Sequence, residues 1–173
     1  YNAWVNKLHQ FVQVVDENYQ LSQAKESFLN LNEGESLVYY FRSVASLDAL
    51  WMHYFFLIMK KEPGEVIYYD PHDWFSLCRP EAQEFMYSWL KSHKRRGFTV
   101  IGSDTPLDRK TTGYMKSEYM QVAYEAKSSF RKTLYITVIG QYVIDAIIDS
   151  VTADAIERVY RKYTEADPEL TSE

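Results

Sequence analysis

Apolar and polar positions alternate along this chain with two different periods, and the longest stretch that lacks a helical period runs from Thr133 to Asp149 (TLYITVIGQYVIDAIID). Two apolar runs, LYITVI and YVIDAII, flank Gly140-Gln141. Glycine at the first position of a two-residue loop suits a type II′ turn, so the stretch is predicted to be a β-hairpin. Both arms are too apolar for a sheet with one wet face, which predicts a central position under helical cover.

The opening of the chain follows a different rhythm. Tyr1, Trp4, Leu8, Phe11 and Val15 recur at alternating steps of three and four, with Val5, Val12 and Tyr19 beside them and Asn18 on the seam. This heptad-like stripe predicts a linker helix over residues 1–25 that packs on its own domain or pairs with a second subunit as a coiled coil. The turn-rich segment Asn30-Leu-Asn-Glu-Gly34 precedes VYYFR (Val38 to Arg42), read as a first strand. Ser43 and Ser46 offer caps for a helix reaching Lys61, stopped by Pro63-Gly64 and apolar nearly all round from Leu50 to Met59, hence buried on more than one side. His53 within it is read as a core histidine, since no second ligand lies one turn away.

EVIYYD (Glu65 to Asp70) is the second expected strand and FTVIGS (Phe98 to Ser103) the third. Between them Pro80 opens a helix with Ala82, Phe85, Met86, Trp89 and Leu90 inward. Lys91, His93, Lys94, Arg95 and Arg96 crowd its end before a terminating Gly97, where cations suit the helix dipole or a nucleic-acid phosphate. Asp104 to Lys116 reads as a long surface loop or a short helix, and QVAYEA (Gln121 to Ala126) as a weaker strand. Thr152 to Tyr163 closes the fold as a helix with Ala155, Ile156, Val159, Tyr160 and Tyr163 inward, and residues 167–173 are a frayed tail. Strand, helix, strand, helix, strand predicts an α/β fold: a mixed, mostly parallel sheet with an antiparallel C-terminal hairpin, flanked by helices, over residues 28–166.

Composition narrows the function classes. With 173 residues, 46% hydrophobic and 16% aromatic, the chain buries a sizeable core. A net charge of −5 argues against a nucleic-acid clamp. The single Cys78 excludes an internal disulfide and a cysteine-based zinc cluster, in keeping with a cytoplasmic protein. The apolar run Ala49 to Met59 is too short to span a bilayer, and no signal peptide is visible, so no membrane partner is expected. The chain begins at Tyr1 and not at Met, from which a preceding domain is expected.

Motifs for common chemistry are missing: there is no phosphate loop, no GxGxxG, no HExxH, no CxxC and no GxSxG elbow. Asp104 or Asp70 with Glu125 and Lys127 has the acid and Glu-x-Lys pattern of metal-dependent nucleases, a spacing that solvated strand-edge charges also produce. No cofactor and no metal site are expected.

The stretches VYYFRSVASLDAL, GEVIYYD, FMYSWLKSHKRRGFTVIGSD and ITVIGQYVIDAII, followed by ADAIERVY, resemble in order the effector domain of TrmB-type transcription regulators. That resemblance implies a phospholipase-D-like fold without the superfamily's catalytic His-x-Lys motif, and no HxK pair occurs here. The chain departs from the family at Arg42-Ser43-Val44-Ala45, where a Gly-x-Glu-Gly segment is usual, and at Ile139-Gly140-Gln141-Tyr142 in place of Tyr-Gly-Asp-Lys. Sugar specificity is therefore not carried over.

The expectation is a non-enzymatic ligand-sensing and dimerisation domain that meets DNA only through a domain upstream of residue 1. The alternatives are a metal-dependent nuclease or phosphodiesterase, and a purely structural dimer module. Ligands of parallel sheets bind at the carboxyl ends of the strands. That places a small-molecule effector, a sugar or a phosphorylated metabolite, at Asp70, His72, Trp74, Ser103 and Asp104. A homodimer is expected through Trp4, Leu8, Phe11 and Val15.

Overall fold

The computed structural model describes residues 31–113, 115–125 and 131–163. The linker-helix stripe, with Trp4, Leu8, Phe11 and Val15, and the tail lie outside the described residues, as does Lys127. The chain divides into two compact units, Tyr1–Met52 and His53–Glu173.

Helix α1 (Val44–Lys61) crosses that division. Its start follows the sequence expectation, because the Ser43 hydroxyl accepts from the backbone N–H of Ser46 at 3.2 Å. VYYFR does not become a strand: residues 38–42 have no regular structure, and Val38 and Tyr40 are 70% and 83% exposed. Aromatic and β-branched residues favour a strand only where a neighbour supplies ladder bonds and a surface to pack on.

The remaining elements are β1 (Val66–Asp70), α2 (Trp74–Cys78), α3 (Pro80–Ser92), β2 (Gly97–Ile101), α4 (Pro106–Thr111), β3 (Met120–Tyr124), β4 (Leu134–Ile139), β5 (Tyr142–Ile147) and α5 (Ser150–Lys162). Their strands form one mixed sheet of order β3-β2-β1-β4-β5. The β1–β2 and β2–β3 pairs are parallel, and the β1–β4 and β4–β5 pairs antiparallel. The hairpin forms where expected, with Gly140 at φ +58°. It is not central, however: β4 is interior and β5 is an edge.

One sheet face carries Val66, Tyr68, Thr99, Ile101, Tyr135, Thr137 and Ile139, all buried. The Phe55 ring lies 6.4 Å from that of Tyr68, and the Tyr68 hydroxyl donates to Met86 Sδ at 3.5 Å, so the second half of α1 and helix α3 cover this side. On the other face Phe98, Ile67, Val138 and Val143 are successive neighbours across four strands. Phe98, Ile67 and Val143 remain 37–61% exposed. The expectation that both faces of the hairpin are covered is thus corrected.

Two helix stripes also differ from the sequence reading. Phe85 on α3 is exposed while Gln83, Met86 and Leu90 are buried; on α5 the inward positions are Ala153, Ile156 and Tyr160, with Ala155 outside. Helix α3 ends not at Gly97, which opens β2, but in a Schellman motif with Lys94 at φ +52°. Lys94 N–H donates to Lys91 O at 3.1 Å and Arg95 N–H to Leu90 O at 2.8 Å. The turn aims the Arg95 side chain at the end of α1, where it donates to Met59 O at 3.2 Å, Gly64 O at 2.6 Å and Glu62 O. Among the described residues no helix is long and apolar enough to cross a membrane.

Candidate functional site

The carboxyl ends of β1 and β2 converge, and the polar residues that follow them form a connected side-chain network. Asp70 ends β1, and its carbonyl accepts from Gly102 N–H at 2.8 Å, which sets the loop after β2 beside Pro71 and His72. Ser103 then donates to Pro71 O at 3.0 Å or to Asp108 Oδ2 at 2.6 Å; its single proton can serve one at a time.

Asp108 is fixed by the local sequence Thr105-Pro-Leu-Asp108. Pro106 opens α4, the Thr105 hydroxyl accepts from Asp108 N–H at 3.2 Å, and the Asp108 carboxylate accepts from Thr105 N–H at 3.1 Å. This reciprocal cap turns the carboxylate inward, where it is fully buried. The segment read as a long loop or short helix is thus a short helix that buries Leu107, Asp108 and Thr111.

His72 stands at the centre. Its Nδ1 is 2.8 Å from Ser103 Oγ and 3.1 and 3.3 Å from the Asp108 oxygens, while Nε2 is 3.2 Å from Glu157 Oε2 on α5. The imidazole stacks on Tyr160, 4.3 Å between centroids. Carboxylates on both ring nitrogens can be satisfied together only by the imidazolium, which donates from each. Burial alone would lower the His72 pKa, but Asp108 and then Glu157 outweigh it and hold the value above 6.5. Asp108 and Glu157 are depressed in turn: desolvation raises each, and the His72 donor, with Ser103 and Thr105 at Asp108 and Arg161 at Glu157, more than offsets it.

A second group of acids lies alongside. Loss of water pushes Asp70 up to about 7. Asp73 is raised well above the usual carboxylate range by desolvation, with Asp70 and Asp108 adding to it against a hydrogen bond from Ser76. Ser76 Oγ donates to Asp73 Oδ1 at 2.7 Å. Among the described residues the buried Asp73 Oδ2, Trp74 Nε1 and Tyr160 hydroxyl have no partner at full hydrogen-bond geometry, though Thr111 stands near enough to Asp73 and Tyr160 to act against the rise that burial causes in each.

Of the five residues picked from sequence, His72 and Ser103 are in direct contact, and Asp70 and Trp74 stand in the same β1–α2 segment. Asp104 is turned away: both its oxygens are held by Arg109, at 2.7 Å each, on the outer side of α4. Sequence reading missed Asp108, Glu157, Asp73 and Tyr160. The Thr-x-x-Asp cap was a legible signal for Asp108; Glu157, on a distant helix, had none.

A serine nucleophile needs its base and orienting acid on opposite nitrogens of the histidine. Here Ser103 shares Nδ1 with Asp108 while Glu157 stands on Nε2, so a hydroxyl and a carboxylate do face opposite nitrogens; what bars the serine proton is that Nδ1 carries its own hydrogen whenever the ring is an imidazolium. Among the described residues no group of three or more His, Cys, Asp or Glu side chains is placed to hold a metal ion. No protein-family model, no curated protein and no solved structure matches this chain.

Proposed function

We propose that the chain is a non-catalytic sensing and dimerisation domain of a transcription regulator, of the phospholipase-D-like kind that TrmB-type effector domains represent. The observation that carries this reading is the state of the polar groups at the strand ends. His72, Ser103 and Asp108 are committed to one another, whereas Trp74 Nε1 is a buried donor without a partner among the described residues, and Asp73 Oδ2 and the Tyr160 hydroxyl, with Thr111 nearby, lack a well-formed bond. Uncommitted buried donors and acceptors are costly, and a small polar ligand that completes them recovers that cost. On this reading dimerisation belongs to the stripe of Trp4, Leu8, Phe11 and Val15.

Thermal unfolding of the chain against a panel of sugars and phosphorylated metabolites tests the proposal. A rise in Tm with one of them, lost in Asp73→Ala, is the expected result. No shift with any member at millimolar concentration leaves a structural module without a ligand. Metal-dependent phosphodiester cleavage that Glu125→Gln abolishes would restore the enzymatic alternative.

A further inference from the structure

We propose that His72 is a proton-operated latch that fastens α5 to the loop and helix following β2. The inference goes beyond ligand sensing and holds whether or not a small molecule binds. Its basis is geometric: one imidazole spans two helices far apart in sequence, with Nδ1 on Asp108 of α4 and Nε2 on Glu157 of α5. The ring is buried, and Tyr160 stacked against it prevents it from swinging to a different pair of acceptors.

The two ends of the latch are unequal. Asp108 also accepts hydrogen bonds from the Ser103 hydroxyl and from the hydroxyl and N–H of Thr105. Glu157 has, among the described residues, Arg161 besides, one turn along the same exposed side of α5. A neutral imidazole keeps one N–H. It stays on Nδ1, where Asp108 and Ser103 both accept, because Asp108 is the more buried carboxylate. The lone pair then faces Glu157, so deprotonation turns the α5 contact from attractive to repulsive while leaving α4 in place.

Other titratable and charged groups surround the ring. Asp73 and Asp70 stand on the β1–α2 side, Glu157 with Arg161 on α5, Asp108 on α4, and the Asp104–Arg109 pair on its outer side. Burial works against the imidazolium, Asp108 and Glu157 favour it, and they raise His72 on balance. The latch is therefore fastened below the ordinary histidine value and opens as pH rises through the elevated one. On the acid side it weakens again once Asp108 and Glu157 take up protons, below their ordinary carboxylate values.

Two measurements on the full chain test this. The imidazole resonances of His72, identified by their loss in His72→Gln, are followed by NMR from pH 5 to 9. Amide exchange across α5, corrected for the intrinsic pH dependence of exchange, is followed over the same range. His72 should titrate above 6.5, and the opening of α5 between Ile156 and Lys162 should increase about tenfold with the same midpoint, the value of a lost charged hydrogen bond. Glu157→Gln retains the fold because its side chain reaches solvent; it should lower the His72 midpoint and leave α5 exchange independent of it. An α5 whose protection is flat through the His72 titration overturns the proposal, as does a midpoint at or below 6.5. If Glu157→Gln leaves the coupling intact, the latch does not run through Glu157 and the proposal fails.

Discussion

Lys94 holds φ +52°, a left-handed conformation that costs a residue with a side chain roughly 1–2 kcal/mol. Glycine carries no such cost, though it loses more chain entropy on folding, so Lys94→Gly should stabilise the chain by about 0.5–1 kcal/mol, read as a higher urea midpoint. The opposite substitution at the hairpin turn should do harm. Gly140 has φ +58°, and a Cβ there would stand 2.7 Å from Glu62 Oε2, so Gly140→Ala should cost about 1–2 kcal/mol in the same experiment. Half-buried Asp70 acts through pH. Asp70, at about 7 in the folded chain against roughly 3.9 unfolded, binds more protons when folded, so stability falls as pH rises between those values. Asp70→Asn removes that penalty: it should gain on the order of 1–3 kcal/mol at pH 8 and nothing at pH 4, measured by denaturation at both. At this scale the sequence was partly legible. His72 and Ser103 could be chosen because they follow strands, and Asp108 had a local cap pattern, but Glu157 reaches His72 only through tertiary packing that no spacing encodes.

Secondary elements were legible in proportion to how local their causes are. The hairpin, the second and third strands and the Ser43 cap rest on neighbours in sequence, and each formed within a few residues of its expected place. Val38 to Arg42 had the composition of a strand and yet takes no regular structure, which composition cannot reveal. The inward faces of α3 and α5 were misplaced at Phe85 and Ala155 because a helix shows its periodicity without showing how wide its contact is. Arg95 joins two elements and supports a test at this scale. Its guanidinium reaches Met59 O, Glu62 O and Gly64 O together, which a single ammonium cannot reproduce. Arg95→Ala should cost about 2–3 kcal/mol in chemical denaturation, and Arg95→Lys should restore less than half of it. Full rescue by lysine would reduce the contact to simple charge.

For the whole molecule, the expected α/β class with a mixed sheet holds, whereas the strand order was not legible, because which strands become neighbours depends on crossovers that leave no mark in any one segment. The order leaves the row Phe98, Ile67, Val138 and Val143 on a partly open face, and the proposed dimer is a separate matter that concerns residues 1–25. Sedimentation velocity at micromolar concentration should give a dimer. Trp4→Ala with Phe11→Ala should weaken it at least about tenfold without lowering the unfolding midpoint of the core, since truncating a large buried aromatic costs roughly 3–5 kcal/mol. A monomeric wild-type chain refutes the dimer, and a dimer untouched by the double substitution moves the interface elsewhere.

The sheet order also dictates when the chain can finish folding. β1 lies between β2 and β4, and its pairing with β4 joins Val66 to Ile139 and Tyr69 to Ile136. During synthesis the parallel half, β1 to β3, emerges first, and one edge of β1 stays without its ladder until the hairpin has left the ribosome. The hairpin itself closes locally and fast, so the late step is the docking of a preformed β4–β5 unit onto a waiting strand. An unpaired apolar edge of that duration is open to other chains. Any slowing of translation between Tyr124 and Leu134 would lengthen that interval, so the yield of folded protein should depend on synthesis rate there more than anywhere else in the chain.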